Sequence, residues 1–159
     1  MEKIAIFPGS FDPFTLGHEA LVRRGVEMFD KIIVCIGYNS NKSSFFPLEQ
    51  RKNWIEKIFA NEPKITVDHY TGLTVDYCKK VGARYILRGL RTAADFEYER
   101  AIAQINRKMD PEIESVFLLT EPEHTPITST IVRDIIRHGG DASEFLSSCL
   151  DMDEMKNHS

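Results

Sequence analysis

The sequence predicts an α/β fold, one doubly wound domain around a five-stranded parallel sheet, and three observations carry that prediction. Five short apolar runs alternate with stretches whose apolar residues recur at helical spacing. The second run, residues 31–36, is rich in β-branched residues and apolar on both faces, as a strand covered by helices on both sides must be. No internal repeat, low-complexity tract or linker interrupts the alternation, so residues 1–150 read as a single domain and 151–159 as a polar tail.

Each element has its own warrant. Residues 3–7 read as a buried strand, followed by a loop rich in Gly and Pro. Residues 19–29 read as a helix with Leu21, Val22, Val26 and Phe29 on one face. After the 31–36 strand, residues 47–60 are helical, with Pro47 suited to the first turn. Residues 65–70 alternate in the manner of a strand, and 73–81 form a short helix that Gly82 ends. Residues 84–87 are the fourth strand. The longest helical segment is 92–109, where Thr92 with Asp95 resembles a capping box and Tyr98, Ala101, Ile102 and Ile105 read as the core-facing side. Residues 115–119 are the fifth strand. The last helix spans 129–138, with Ile131, Val132, Ile135 and Ile136 as its buried stripe. Beyond Leu150 the chain is acidic with few apolar anchors, which predicts a tail that frays.

Composition narrows the function classes. The chain has 159 residues, 42% hydrophobic and 28% charged, which suits a globular domain with a core and excludes a disordered chain. A net charge of −4 argues against a sequence-independent nucleic-acid binder. The longest apolar stretch, residues 32–37, falls far short of the roughly 20 residues of a membrane helix. Glu2 near the start, with no long apolar segment behind it, does not read as a secretion signal. Cys35, Cys78 and Cys149 are odd in number and lack CxxC spacing, which argues against a disulfide scaffold or zinc site and suits a reducing cytoplasm. His69, His138 and His158 share no metal-ligand spacing, so no protein metal site is read.

Open α/β sheets bind ligands beyond the carboxyl ends of their strands. The loops there cover residues 9–18, 39–44, 71–74, 88–91 and 121–129. An acidic chain thus gathers Lys42, Arg88 and Arg91 with many hydroxyls and glycines on one face, which suits a substrate carrying several phosphates. Within Thr15, Leu16, Gly17 and His18, the glycine permits close backbone approach to a ligand, and the histidine falls at a helix start. The positive end of a helix disfavours imidazolium, so His18 is expected neutral, as a donor to a ligand or as a surface cap. Thr128, Ser129 and Thr130 put three hydroxyls at another helix start; one suffices for capping, while three with the free amides suit a phosphate cradle. Asp95 and Glu99 lie one helical turn apart and repel, which calls for a cation such as Arg91 to offset one of them.

The TxGH and hydroxyl-rich 128–133 motifs together resemble those of the nucleotidylyltransferase superfamily. Residues 88–99, RGLRTAADFEYE, resemble the signature of bacterial phosphopantetheine adenylyltransferases, as do residues 7–13 and 114–118. The resemblance runs from Lys3 to about Phe145. It implies a Rossmann-like nucleotidylyltransferase fold and transfer of AMP from ATP to 4'-phosphopantetheine, releasing pyrophosphate and forming dephospho-coenzyme A. That is the penultimate step of coenzyme A synthesis, and Mg2+ is the metal it requires. It also implies a homohexamer of two trimers, with coenzyme A as a feedback ligand.

By the same resemblance, His18 stabilises the transition state. Ser10, where the family usually has threonine, lies between acceptor phosphate and ATP. Lys42 and Arg88 hold the acceptor phosphate, and Thr74 lies along the pantetheine arm at an often aliphatic position. The ATP site takes Ser10, Phe11, His18, Gly89, Leu90, Arg91, Glu99, His124, Thr125, Pro126, Ile127, Thr128, Ser129 and Thr130. His124 and Pro126 stand where aromatic residues are common, in the loop expected near adenine. The chemistry agrees with the assignment. The attacking phosphate oxygen is already anionic near neutral pH, so alignment and charge neutralisation are what the reaction lacks, and fixed dipoles and positioning supply both. That is consistent with the absence of any Ser-His-Asp or Cys-His constellation in the sequence. Two alternatives stand beside it: a related nucleotidylyltransferase using another phosphorylated acceptor such as nicotinamide mononucleotide, and a non-catalytic nucleotide sensor. The 88–99 motif argues against the first, and intact His18, Lys42, Arg88 and Arg91 against the second.

Overall fold

The computed structural model describes residues 1–39 and 41–157; Ser40 of the second ligand-face loop, and His158 and Ser159 of the tail, lie outside the described residues. Strands β1 (Ile4–Gly9), β2 (Lys31–Gly37), β3 (Ile65–Tyr70), β4 (Tyr85–Leu90) and β5 (Glu114–Leu119) form one parallel sheet in the order β3-β2-β1-β4-β5. Helices α1 (Leu16–Gly25), α2 (Leu48–Ile58), α3 (Thr74–Val81), α4 (Ala93–Met109) and α5 (Ser129–Arg137) follow successive strands, and a short α6 (Met152–Lys156) closes the chain. This is the expected doubly wound fold. Gly82 ends α3 in the left-handed conformation, φ 74°, which a side chain at that position would resist.

Pleating sends Ala5, Phe7, Ile32, Val34 and Leu87 to the face where α1, α2 and α5 pack. It sends Ile6, Ile33, Cys35 and Ile86 to the other face, against Val75, Tyr77 and Cys78 of α3. Strand order reverses at β1, so the switch point lies between β1 and β4. β1 pairs with β2 from Ile4 opposite Lys31 to Gly9 opposite Ile36, but with β4 only at Ala5 opposite Tyr85 and Ile6 opposite Ile86. Past Ile6 the two central strands part and leave a crevice, where open α/β sheets bind ligands.

Several expectations change. α1 begins at Leu16 rather than Glu19, because Thr15 caps it, and it ends at Gly25, where Met28 N–H bonds back to the Gly25 carbonyl in a turn. β4 runs on to Leu90 because its ladder with β5 continues to Leu90 opposite Leu119, so Arg88, Gly89 and Leu90 are strand residues rather than part of the loop. On α4, Tyr98, Ile102 and Ile105 are 69%, 37% and 55% exposed, and Glu99 is the helix's buried residue. Helical periodicity detected that apolar face without showing what covers it. Ile131 is likewise exposed on α5, whose buried residues are Val132 and Ile136.

The tail is also corrected. Residues 151–157 do not fray: the Asp151 carboxylate accepts from Asp153 N–H at the start of α6, and Met155 is 1% exposed within the main core. Gln50 of α2 donates to Glu154 at 3.0 Å. One buried methionine anchors a segment whose charge content had suggested solvent. Cys35, Cys78 and Cys149 are free thiols. Among the described residues, no helix is long and apolar enough to cross a membrane.

Candidate active site

The crevice between β1 and β4 opens into a cavity of about 350 Å³. On one wall stands the start of α1. Thr15 N–H donates to His18 Nδ1 at 3.0 Å, while Thr15 Oγ1 receives His18 N–H at 3.5 Å, a reciprocal capping box. A ring nitrogen that accepts carries no proton, so the neutral imidazole holds its hydrogen on Nε2. Nε2 has no hydrogen-bond partner among the described residues. Burial first, then the charges of Arg88 and Arg91, push the His18 pKa down to about 3. The rings of Phe11 and Phe14, at 5.0 and 5.2 Å, fix the imidazole plane. The cap and the donor therefore use different nitrogens of one ring, and both readings of His18 are compatible.

Two arginine–carboxylate pairs frame the opposite wall. Arg88 leaves β4 with Nη2 2.6 Å from Glu99 Oε1 and Nε 3.0 Å from Oε2, while Nη1 donates to the Pro8 carbonyl at 2.5 Å. It thereby spans the gap where β1 and β4 separate. Arg91 donates to Asp95 from its backbone N–H at 3.0 Å and from Nε at 3.1 Å. Burial opposes ionisation of Asp95, but these bonds and the Arg91 charge hold its carboxyl below the usual range. The repulsion between Asp95 and Glu99 is thus offset twice, by Arg91 as expected and by Arg88 as well. Thr92 caps α4 at Asp95 N–H, but the Asp95 side chain turns to Arg91, so the capping box there is only half formed.

At the start of α5 the hydroxyls are already at work. Thr128 Oγ1 accepts from Ile131 N–H, and Ser129 Oγ donates to the Pro13 carbonyl at 2.7 Å. Thr130 Oγ1 accepts from Arg133, which also donates to the Asp12 carbonyl. Thr128 and Thr130 keep an O–H to donate, and Thr128, Ser129 and Thr130 line the cavity at the helix start, whose first amides have no partner within the helix. Across from them, His124 Nδ1 is buried without a partner among the described residues.

Of the residues expected at ATP, Ser10, Phe11, His18, Gly89, Arg91, Glu99, His124, Ile127, Thr128, Ser129 and Thr130 line this cavity. Leu90, Thr125 and Pro126 do not, and Leu90 is buried. The Phe11 ring is buried against Phe7, so its backbone is what a ligand would meet. Gly89 has a packing reason: a Cβ there would sit 2.3 Å from Leu21 Cδ1 of α1.

A second cavity of about 250 Å³ adjoins the first and shares Pro8, Gly9, Ser10, Arg88 and Glu99 with it. Thr74 lies on its far wall, where its hydroxyl pairs with Tyr70 at 2.9 Å. Of the residues expected at the acceptor, Ser10, Thr74 and Arg88 line it, whereas exposed Lys42 lines neither cavity. Tyr70 escaped sequence reasoning, and so did Arg51, which lies at 3% exposure under the first loop. Arg51 did leave a signal. It occupies the apolar face of α2 with Trp54, Ile55 and Ile58, at i, i+3, i+4 and i+7.

Among the described residues, no group of three His, Cys, Asp or Glu side chains gathers to hold a metal. Burial, the largest cause, pushes the Cys35 thiol up and Cys78 up to about 11, so neither supplies a thiolate. What remains is an oriented neutral N–H donor, paired arginines and helix-start amides, an equipment for aligning anions.

Comparison with known proteins gives the family. The cytidylyltransferase-like family matches residues 6–135. A phosphopantetheine adenylyltransferase of Flavobacterium johnsoniae is 56% identical over 137 residues, 86% of this chain and 90% of the relative. Another, from Phocaeicola vulgatus, is 48% identical over 149 residues, 94% of this chain and 98% of the relative. Among solved structures, a Vibrio parahaemolyticus chain assigned provisionally as a nicotinate-nucleotide adenylyltransferase superposes with a TM-score of 0.73 at 19% identity, covering 99% of both chains. A Francisella tularensis bifunctional NMN adenylyltransferase/ADP ribose pyrophosphatase superposes with a TM-score of 0.71 at 18% identity, over 94% of this chain and 46% of that longer one. At those identities the structural likeness establishes the fold.

Proposed function

The chain belongs to the phosphopantetheine adenylyltransferases, nucleotidyltransferases of cytidylyltransferase-like fold, and from that membership we propose that it transfers AMP from ATP to 4'-phosphopantetheine. The products are dephospho-coenzyme A and pyrophosphate, at the penultimate step of coenzyme A synthesis. The observation that carries the reading is the pair of adjoining cavities that share Ser10 and Arg88. Triphosphate occupies the larger one, between His18 and the α5 start, and the acceptor arm lies in the smaller one along Thr74. The acceptor phosphate sits at their junction, where its oxygen attacks the α-phosphorus in line and pyrophosphate leaves, with no covalent enzyme intermediate. His18 donates from Nε2 to a phosphoryl oxygen as charge redistributes. Arg91 and the α5 amides hold the triphosphate. Arg88 must exchange part of its contact with Glu99 for the acceptor phosphate, and Lys42 reaches in from its loop.

Mg2+ fits as a companion of ATP: the cavity's Asp95 and Glu99 are already held by arginines, so the metal would rest chiefly on the phosphates and neutralise their charge. On α4, Tyr98 and Ile102 line the two cavities, while exposed Ile105 and Met109 support assembly of copies, which we carry as a homohexamer of two trimers. Coenzyme A, which contains the acceptor arm and an adenine nucleotide, suits both cavities as a feedback ligand, and the cytoplasm is the expected compartment. A coupled assay with ATP, Mg2+ and 4'-phosphopantetheine should release pyrophosphate in step with dephospho-coenzyme A. ATP binding without pyrophosphate release would point to the sensor reading, and release only with nicotinamide mononucleotide to the other acceptor.

A further inference from the structure

Arg51 sits 3% exposed beneath the first loop, and no described carboxylate lies within ion-pair distance of its guanidinium. Burial lowers its pKa, while Asp12 nearby favours the charge. A buried cation is costly unless its donors are used, and here each edge of the fork is. Nη1 donates to the Ser10 carbonyl at 2.6 Å, Nε to the Phe46 carbonyl at 3.0 Å and Nη2 to Ser44 Oγ at 3.2 Å. The Asp12 carboxylate completes the clamp by accepting from Phe45 N–H at 2.8 Å and Phe46 N–H at 2.9 Å.

The contact with Ser10 has a consequence for the cavity. In a trans peptide the C=O and N–H point in opposite directions. With the Ser10 oxygen drawn inward to Arg51, the Phe11 N–H on the same peptide is turned the other way, toward the cavity that Ser10 and Phe11 line. That N–H makes no hydrogen bond to any described residue. The conformation is not one the chain would hold unaided, because Phe11 has φ 47°, a region costly for a non-glycine residue. We propose that Arg51 is a positioning residue that locks the Ser10–Phe11 peptide so that Phe11 N–H serves as a fixed anion donor beside His18. The same guanidinium ties this peptide to residues 44–46, so the loop that carries Lys42 is anchored to the peptide that meets the nucleotide.

The proposal rests on ATP occupying the larger cavity, and the test separates the two. Wild-type enzyme is first titrated with ATP and with adenosine, then assayed for pyrophosphate release. If it neither binds ATP nor turns over, the functional reading fails, independently of Arg51. Given an active wild type, Arg51→Met should weaken ATP binding or lower kcat by at least tenfold while adenosine affinity changes less than threefold. Only the phosphate-bearing ligand feels the lost donor. Arg51→Lys, which keeps one donor for the Ser10 carbonyl, should recover a large part of the loss. If Arg51→Met does not fold, the Lys variant decides: a partial loss selective for ATP over adenosine supports the lock. Equal loss for ATP and adenosine, or wild-type kinetics in every folded variant, overturns it.

Discussion

Between β1 and α1 the chain is tied at nearly every step. Arg51 holds the Ser10 carbonyl, Arg133 the Asp12 carbonyl and Ser129 the Pro13 carbonyl, while Thr15 and His18 close on each other. Between β2 and α2, Arg51 and Asp12 clamp residues 44–46, but the stretch before them is tied lightly: Asn41 N–H bonds to the Asn39 side chain and Lys42 N–H to the Asn39 carbonyl, and the Lys42 side chain is exposed. Both loops follow central strands and both carry a residue expected to meet phosphate. The difference matches what the proposed function asks of each. A group that stabilises a transition state must be in place before charge moves, since reorganisation at that moment would add to the barrier. A group that captures an incoming dianion can close with it, and its contribution falls mainly on binding.

The comparison breaks first at His18. In His18→Ala both nitrogens vanish, and loss of an oriented donor predicts a fall in kcat of about 10²–10³-fold. ATP affinity should change far less, because Arg91 and the α5 amides remain. Loss of the cap adds about 1 kcal/mol of destabilisation, visible in a thermal melt. A variant that melts lower yet turns over normally would reduce His18 to a cap.

Lys42 tests the other side. A hydrogen bond between charged groups contributes about 1.5–3 kcal/mol, and an exposed lysine on a loosely tied loop belongs at the low end, so Lys42→Ala should raise the acceptor KM by roughly tenfold with kcat nearly unchanged. Arg88→Ala should weaken the same ligand, with added cost because Glu99 would be left buried without its partner. Pantetheine without its phosphate is the control: if its affinity drops as much as that of the phosphorylated acceptor, neither residue reads phosphate.

The sequence made the scaffold legible and the wiring only in part. Apolar runs and helix caps located every strand and the TxGH turn because those signals are local. Arg88 was read as a loop residue because only its pairing with β5 extends the strand. The locks on the first loop come from Arg51 and Arg133, far along the chain, and no local pattern names Ser10 or Asp12 as their targets. On α4, Ile102 and Ile105 were taken for core because an apolar stripe is the same signal whether or not the sheet covers it.

Acidity sharpens the comparison without mutation. The His18 ring is neutral down to about pH 3 in the fold, whereas an unfolded chain protonates it near 6.5. Between those values the unfolded state binds the extra proton, so this contribution to stability is complete above 6.5 and declines as pH falls toward 3. Expected observations are a His18 ring signal that does not titrate between pH 5 and 8 by NMR, and kcat without a step near 6.5 assignable to it. A ring titrating near 6.5 would mean that burial and the two arginines do not hold the imidazole neutral through this range.

The smallest effect on rate is expected from the tail, which touches the tightly wired side from behind. Glu154 accepts from Gln50, the neighbour of Arg51 on α2, and Met155 is buried in the core that α2 shares. Truncation after Leu150 removes that methionine, and burying a side chain of its size is worth about 1.5–3 kcal/mol as an upper range. For a chain of this length that corresponds to a fall in Tm of roughly 3–12 °C. Turnover below the new transition should stay within about twofold, since α6 lines neither cavity and each guanidinium nitrogen of Arg51 is bonded within residues 10–46. If instead kcat falls along with Tm, the first loop is held less by its own bonds than by the packing of α2, and the contrast with the Lys42 loop is one of degree. If neither moves, α6 docks without stabilising, and Met155 fills space that the core closes over without it.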